Sequence, residues 1–205
     1  MAGIPSFGDR RRGRIGLLGG SFNPAHAGHI HLTREALRTL GLDQVWWLVS
    51  PQNPLKSTSG MARFSTRLEG AAKALGAAGL GRRALATGLE GRLGVQRTAR
   101  TLRLLRKRYP NLSFVWLMGA DNLVDISRWW RWVGIFQAAR VAVFDRSPYS
   151  HKALASTAAM RFSGVRCGIR ALWRHDVPAW SYVAMRRHPA SATKIRAAKA
   201  KPTKP

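Results

Sequence analysis

Two histidines, His26 and His29, follow a glycine pair in the segment Gly19-Gly20-Ser21-Phe22-Asn23-Pro24-Ala25-His26-Ala27-Gly28-His29. Paired glycines let a backbone approach a phosphate closely. A helix beginning near Gly28 aims free amides and its positive dipole end at the same place. Histidines three residues apart at a helix start share one face, so both imidazoles can reach one group of oxygens. The segment therefore reads as an anion site. It is not a Walker loop, because no G-x-x-x-x-G-K-[ST] is present. No G-x-G-x-x-G opens the helix, and there is no H-E-x-x-H. A metal pair made of the two histidines lacks acidic neighbours, the nearest in sequence being Glu35. On spacing alone, two solvent-facing histidines at a helix start are an equal reading.

The elements that must position this loop follow from periodicity. Ile15 to Leu18 is a short apolar run stopped by Gly19-Gly20, a first strand. From His29 to Leu40 apolar residues recur at helical spacing, and Gly41 supplies a stop, so the loop joins strand to helix. The alternation continues. Strands are predicted at Val45 to Val49, Ala84 to Thr87, Leu112 to Met118 and Val141 to Phe144, and helices at Met61 to Leu75 and Val95 to Tyr109, the latter ended by Pro110. Strands apolar on both faces that alternate with helices indicate a parallel sheet covered on both sides: an α/β, doubly wound, Rossmann-like fold. Ligands in such folds bind outside the carboxyl ends of the strands, where the loop sits. Residues Ser147 to Pro178 read as an irregular helical segment, and there are no internal repeats. The expected organisation is a basic tail at 1–13, one domain at 14–198 and a frayed tail at 199–205.

Composition bounds the partners. A chain of 205 residues, 45% hydrophobic, can bury a real core. No apolar run approaches the roughly 20 residues that span a bilayer, and no signal-peptide pattern follows the basic start, which predicts a cytoplasmic protein. The single cysteine, Cys167, excludes an internal disulfide and reads as a structural thiol. The 35 Lys and Arg against 9 Asp and Glu give a net charge of +26, which attracts nucleic acid, nucleotides, phosphates and acidic lipids alike.

Gly-Gly-Ser-Phe-Asn-Pro-x-His-x-Gly-His resembles the signature of the H-x-G-H nucleotidyltransferase superfamily, and specifically its bacterial nicotinate-nucleotide adenylyltransferase branch. Three further segments agree in order: Ser50-Pro51-Gln52-Asn53-Pro54-Leu55-Lys56 after strand two, Gly119-Ala120-Asp121-Asn122-Leu123 with Trp129 and Trp132 downstream, and Ser191-Ala192-Thr193-Lys194-Ile195-Arg196 near the C-terminus. The match covers about residues 14 to 196. It implies transfer of AMP from ATP to nicotinate mononucleotide, giving deamido-NAD and pyrophosphate, with Mg2+ bound to the phosphates and no protein metal site. The attacking phosphate is already an anion, so positioning and charge stabilisation suffice. By the resemblance His26, His29, Lys56 and Arg196 are catalytic. ATP would be met by Gly19, Gly20, Ser21, Phe22, His26, His29, Gly119, Asp121, Ser191, Thr193 and Arg196, and nicotinate mononucleotide by Asn23, Thr98 and Trp129. Each has a structural alternative: Trp129 as core, Lys56 as a solvated loop charge, Ser191 as an N-cap.

The chain also departs from the family pattern. Arg97 and Arg100 flank Thr98 where an aromatic and an acidic residue are usual, and Ala190 replaces the usual isoleucine. Within the superfamily, pantetheine phosphate or glycerol phosphate acceptors are the competing reading. From another class, +26 and the clusters Arg10-Arg11-Arg12 and Arg103-Arg106-Lys107-Arg108 suggest nucleic-acid binding, as an incidental property or a function. A merely solvated basic surface accounts for the same residues, and no nucleic-acid-binding motif is present.

Overall fold

The computed structural model describes residues 4, 11–51, 60–145 and 150–186. Lys56, Ser191, Thr193, Arg196, Ala190 and most of the two expected tails lie outside the described residues. Six strands are found among them: β1 (Gly13–Gly20), β2 (Gln44–Val49), β3 (Ala84–Thr87), β4 (Leu112–Gly119), β5 (Arg140–Phe144) and β6 (Trp180–Val183). They form one all-parallel sheet in the order β3-β2-β1-β4-β5-β6. The chain winds outward from β1 to β3, then returns beside β1 at β4 and winds the other way. This is the doubly wound arrangement expected, with its switch point between β1 and β4.

The strands are apolar on both faces because both faces are covered. On one side α1 (Ala27–Thr39) and α2 (Phe64–Ala77) bury Leu32, Ala36, Leu37, Ala71 and Leu75 against Leu18, Trp47, Val115 and Leu117. On the other, α3 (Leu89–Arg92), α4 (Thr98–Arg108), α5 (Ala120–Asp125), α6 (Val133–Ala138), α7 (Ser150–Leu154) and α8 (Thr157–Arg161) cover Leu17, Trp46, Trp116, Met118 and Val143. Each fully buried leucine or valine contributes roughly 1.5–3 kcal/mol, so the two layers together fix which way every loop leaves the sheet. Gly41, at φ +57°, ends α1 in the left-handed conformation that its lack of a side chain permits.

Two expectations change. The helix expected from Val95 begins at Thr98: Gly94, at φ +62°, closes the separate turn α3, and Arg97 is still extended. Sequence periodicity also passes over β6, whose Trp-Ser-Tyr-Val run is short and polar in its middle. Ser181 is nonetheless fully buried, because its hydroxyl donates to the Cys167 carbonyl at 2.6 Å. The irregular segment before it consists, from residue 150, of α7, α8 and single 3-10 turns. It is pinned beneath the sheet by Trp173, whose indole N–H donates to the Leu40 carbonyl at 2.8 Å and whose ring lies 5.1 Å from the Arg14 guanidinium and 5.3 Å from that of Arg140. Burial pulls the Arg140 pKa below its ordinary value, against the opposing pull of Asp176.

Candidate functional site

β1 and β4 end side by side: Leu18 pairs with Leu117, so Gly20 and Gly119 stand together at the carboxyl edge. Beyond Gly20 the chain turns through Ser21 and Phe22 into α1, and beyond Gly119 it enters α5 directly. The β1–α1 turn therefore opens at the switch point.

The histidines take specific places on α1. His26 is the N-cap, and its Nδ1 accepts from the Gly28 amide at 3.1 Å. His29, three residues on, accepts through Nδ1 from the His26 amide at 3.2 Å, which completes a capping box built from two imidazoles. The ring centroids are 3.8 Å apart. With both Nδ1 atoms occupied as acceptors, the ring proton of each sits on Nε2. The first turn of the helix thus carries two imidazole N–H groups, on rings tilted 38° to each other, in addition to its own amides, a donor set suited to phosphate oxygens.

What holds these rings is packing. Phe22 is buried at φ +46°, a conformation a phenylalanine rarely adopts. Its ring stacks on Trp47 at 4.7 Å and lies 4.8 Å from His29. The Trp47 indole N–H donates to the Thr33 hydroxyl at 2.8 Å, and that hydroxyl donates to the His29 carbonyl at 2.8 Å. The glycine pair also has a packing role. A Cβ on Gly19 would lie 2.3 Å from the Trp116 ring, and one on Gly20 would lie 3.3 Å from Phe22. Both positions make room for aromatic side chains of the protein, which the expectation of phosphate approach did not include.

Arg67 joins the turn to its neighbour. Its guanidinium, 3% exposed, donates to the carbonyls of Ser21 at 2.7 Å, Ser50 at 2.8 Å, Pro51 at 2.8 Å and Ala62 at 3.0 Å. One side chain on α2 thereby sets the gap between the β1–α1 turn and the backbone of Ser50 and Pro51 just after β2. Burial lowers its pKa from the ordinary arginine value. Sequence reading missed Arg67, although the signal was there: it stands at the fourth position before Ala71 and the eighth before Leu75, on the stripe of α2 that faces the sheet. Asn23, expected at the acceptor, spends its amide on the same seam, donating to the Gly60 carbonyl at 3.1 Å and accepting from the Ala62 amide at 3.3 Å.

The other expected residues surround the opposite layer. Gly119 is the buried N-cap of α5 and Asp121 lies half-buried in that helix's first turn. Thr98 is the half-buried first residue of α4, and Trp129 is half-buried after the turn that follows α5, packed on the core. Trp132 is a packing residue in an aromatic cluster with Phe136 and Phe162. Behind Thr98 is an unexpected acid, Glu90, 7% exposed, whose carboxylate accepts from the Thr101 hydroxyl at 2.9 Å. Burial raises its pKa above the ordinary value, and the Thr101 hydrogen bond opposes that rise. In the second turn of α1, His31 Nε2 lies 2.6 Å from the carbonyl of Arg186, the last described residue. No three His, Cys, Asp or Glu side chains group as a metal site among the described residues. None of their helices is long and apolar enough to cross a membrane.

Comparison with known proteins agrees with this geometry. Residues 17–198 match the cytidylyltransferase-like family model. The chain is 46% identical over 200 residues, 96% of its length and 91% of the relative's, to a protein of Gluconacetobacter diazotrophicus named probable nicotinate-nucleotide adenylyltransferase. It is 53% identical over 148 residues, 71% of each chain, to a Parvibaculum lavamentivorans protein of the same name. Among solved structures, Plasmodium falciparum nicotinic acid mononucleotide adenylyltransferase complexed with NaAD superposes with a TM-score of 0.69 at 15% identity, covering 90% of this chain and 82% of that one. The same enzyme complexed with APC gives 0.67 at 14% identity, covering 91% and 83%. At those identities the structures establish the fold.

Proposed function

The chain belongs to the cytidylyltransferase-like family, and on that premise we propose that it transfers the adenylyl group of ATP to the phosphate of nicotinate mononucleotide. A phosphate oxygen of the mononucleotide attacks the α-phosphorus, the bond from that phosphorus to the bridging oxygen of the β-phosphate breaks, and deamido-NAD and pyrophosphate leave. This is a step of NAD biosynthesis. The reading rests on one observation above the others: the paired Nε2–H donors of His26 and His29 at the N-terminus of a helix that opens at the sheet's switch point. The close relatives share the activity in their names.

The attacking group is an anion at neutral pH, so the site needs no general base. It needs donors where charge develops. His26 and His29 would bridge α-phosphate oxygens and the departing pyrophosphate. Because their Nδ1 atoms are tied to the backbone, they would do so without reorienting as charge moves. Lys56, Ser191, Thr193 and Arg196 would add contacts from the loop after β2 and from the C-terminal segment. Trp129 would stack on the pyridine ring beside Thr98, with Asn23 near the ring's entry and Asp121 toward the adenosine. Mg2+ would arrive on the triphosphate and neutralise its oxygens. A basic acceptor pocket, with Arg97 and Arg100 beside Thr98, favours the nicotinate carboxylate over a neutral amide. We place the protein in the cytoplasm and read 14–198 as a single domain.

The test separates the donor from the cap. His26→Asn keeps an acceptor for the Gly28 amide and removes the ring N–H, whereas His26→Ala removes both. Pyrophosphate release from ATP, Mg2+ and nicotinate mononucleotide should fall by about 10²–10³-fold in both variants. Only His26→Ala should also lose stability, by about 1 kcal/mol. Phosphopantetheine, glycerol 3-phosphate and nicotinamide mononucleotide serve as parallel acceptors. Silence of the folded wild-type protein with all four acceptors overturns the reading, and full activity of His26→Asn overturns the role of the ring.

A further inference from the structure

The outer face of α4 is built against its own stability. Arg97, Arg100, Arg103, Arg106, Lys107 and Arg108 are all exposed, while Ala99, Thr101, Leu102 and Leu105 face the core. Cations three and four apart repel by a few tenths of a kcal/mol per pair, and solvated helix faces ordinarily interleave acids to relieve this. This helix has no acid in it. The three cations of its last turn suit the dipole, but Arg97, Arg100 and Arg103 do not. Catalysis does not require the far end either, because Arg103 lies more than one helical turn and Lys107 more than two beyond Thr98.

The face continues onto the neighbouring turn. An Arg103 Nη lies 3.8 Å from where a Cβ of Gly134 would stand, and the Gly134 amide donates to the Arg131 carbonyl at 2.8 Å. That turn presents Arg128 and Arg131, both exposed, and Trp130, which is 44% exposed with the Arg131 guanidinium 4.9 Å from its ring. Asp125, exposed, lies 3.8 Å from Arg128. Trp46, Trp47, Trp116 and Trp180 are buried in strands. Trp130 differs from them in being an aromatic surface set in a field of guanidinium groups.

We propose that this face, α4 together with the turn around Trp130 and Arg131, docks single-stranded nucleic acid. The guanidinium row would track the phosphates and Trp130 would stack on a base. A row of cations with an exposed aromatic beside it is the pairing that sequence-tolerant single-strand binding uses, because every base has a π-face and every linkage a charge. The surface lies on the α4 side of the sheet, and the proposal stands whether or not the adenylyl transfer proposed above is correct.

Fluorescence anisotropy with a labelled 20-nucleotide RNA, the matching DNA strand, its duplex and polyglutamate, across a salt series and without ATP, tests it. The full chain should bind both single strands more tightly than duplex or polyglutamate. Arg103→Gln with Lys107→Gln should weaken binding and reduce the log–log salt slope by about 1.4, the loss of two phosphate contacts on a single strand. Pyrophosphate release should be unchanged. Lys73→Gln with Arg82→Gln removes the same charge from exposed positions on the α2 side of the sheet and should change the slope little. Trp130→Ala should weaken single-strand binding roughly tenfold. Equal losses from the two double variants would show that net charge alone attracts the strand and would overturn the proposal. So would binding of polyglutamate as tight as that of RNA, or an unaltered affinity in Trp130→Ala.

Discussion

The turn after β1 and the crossover from β3 to α4 reach the same edge of the sheet, yet they are held by different means. The turn is fixed by neutral hydrogen bonds and ring packing: two imidazoles cap α1, Phe22 stacks on Trp47, and Thr33 links Trp47 to the His29 backbone. Its one charged support, Arg67, is spread over four carbonyls. The crossover instead has an acid sealed beneath it, Glu90, with one hydroxyl for company. The first design spreads its support over rings, hydroxyls and backbone amides. The second makes the start of α4 sensitive to the protonation of a single group.

The contrast breaks most severely at Arg67. Arg67→Met keeps the apolar stem but leaves the carbonyls of Ser21, Ser50 and Pro51 without their donor, at a cost of about 3–5 kcal/mol measured by urea unfolding. Arg67→Lys, with three donors on a point charge, should recover part of that stability. Because the fork sets the gap between two loops, the lysine variant should still raise KM for ATP and leave KM for nicotinate mononucleotide nearly unchanged. Equal changes in both constants would mean that Arg67 supports only the fold. Gly19→Ala comes next. Its methyl would overlap the Trp116 ring, and the strands on either side cannot move apart, so about 1–3 kcal/mol should be lost on thermal unfolding.

These two residues also mark how far the sequence could be read. The parallel sheet was legible because its strands are apolar runs between helical repeats, and the histidine turn because its residue types are rare in that order. Arg67 was hidden by its type, since an arginine is taken for a surface residue until its partners are seen. The packing role of Gly19 was hidden because the indole that fills its missing side chain comes from β4, nearly a hundred residues away. The break before α4 depends on Gly94 taking a left-handed conformation, which no periodicity reveals, and β6 on a buried serine satisfied by a distant carbonyl. The loss in each case is long-range: local pattern names the element, while contacts between elements decide which residue supports which.

Matched threonine variants sharpen the comparison. Thr33 and Thr101 are both fully buried. Thr33→Val orphans the Trp47 indole N–H, costing about 1–2 kcal/mol by thermal unfolding at any pH from 5 to 8. Thr101→Val removes the donor of an acid, so its cost should grow as that acid ionises.

Glu90 itself gives the smallest effect and the clearest sign. Burial raises its carboxyl pKa in the folded protein above the ordinary 4.5. Between the unfolded value and the raised native value the folded state therefore holds more protons than the unfolded one, and stability falls as pH rises through that interval. The contribution is fully present below 4.5 and gone above the native pKa. Glu90→Gln retains an oxygen for the Thr101 hydroxyl and cannot ionise. It should unfold with nearly wild-type stability at low pH and be more stable than wild type at pH 8, by about 1 kcal/mol. A variant less stable than wild type at pH 8 would mean that the ionised carboxylate is itself a support of α4, held by a cation, and the contrast with the histidine turn would be one of charge pairing instead of burial.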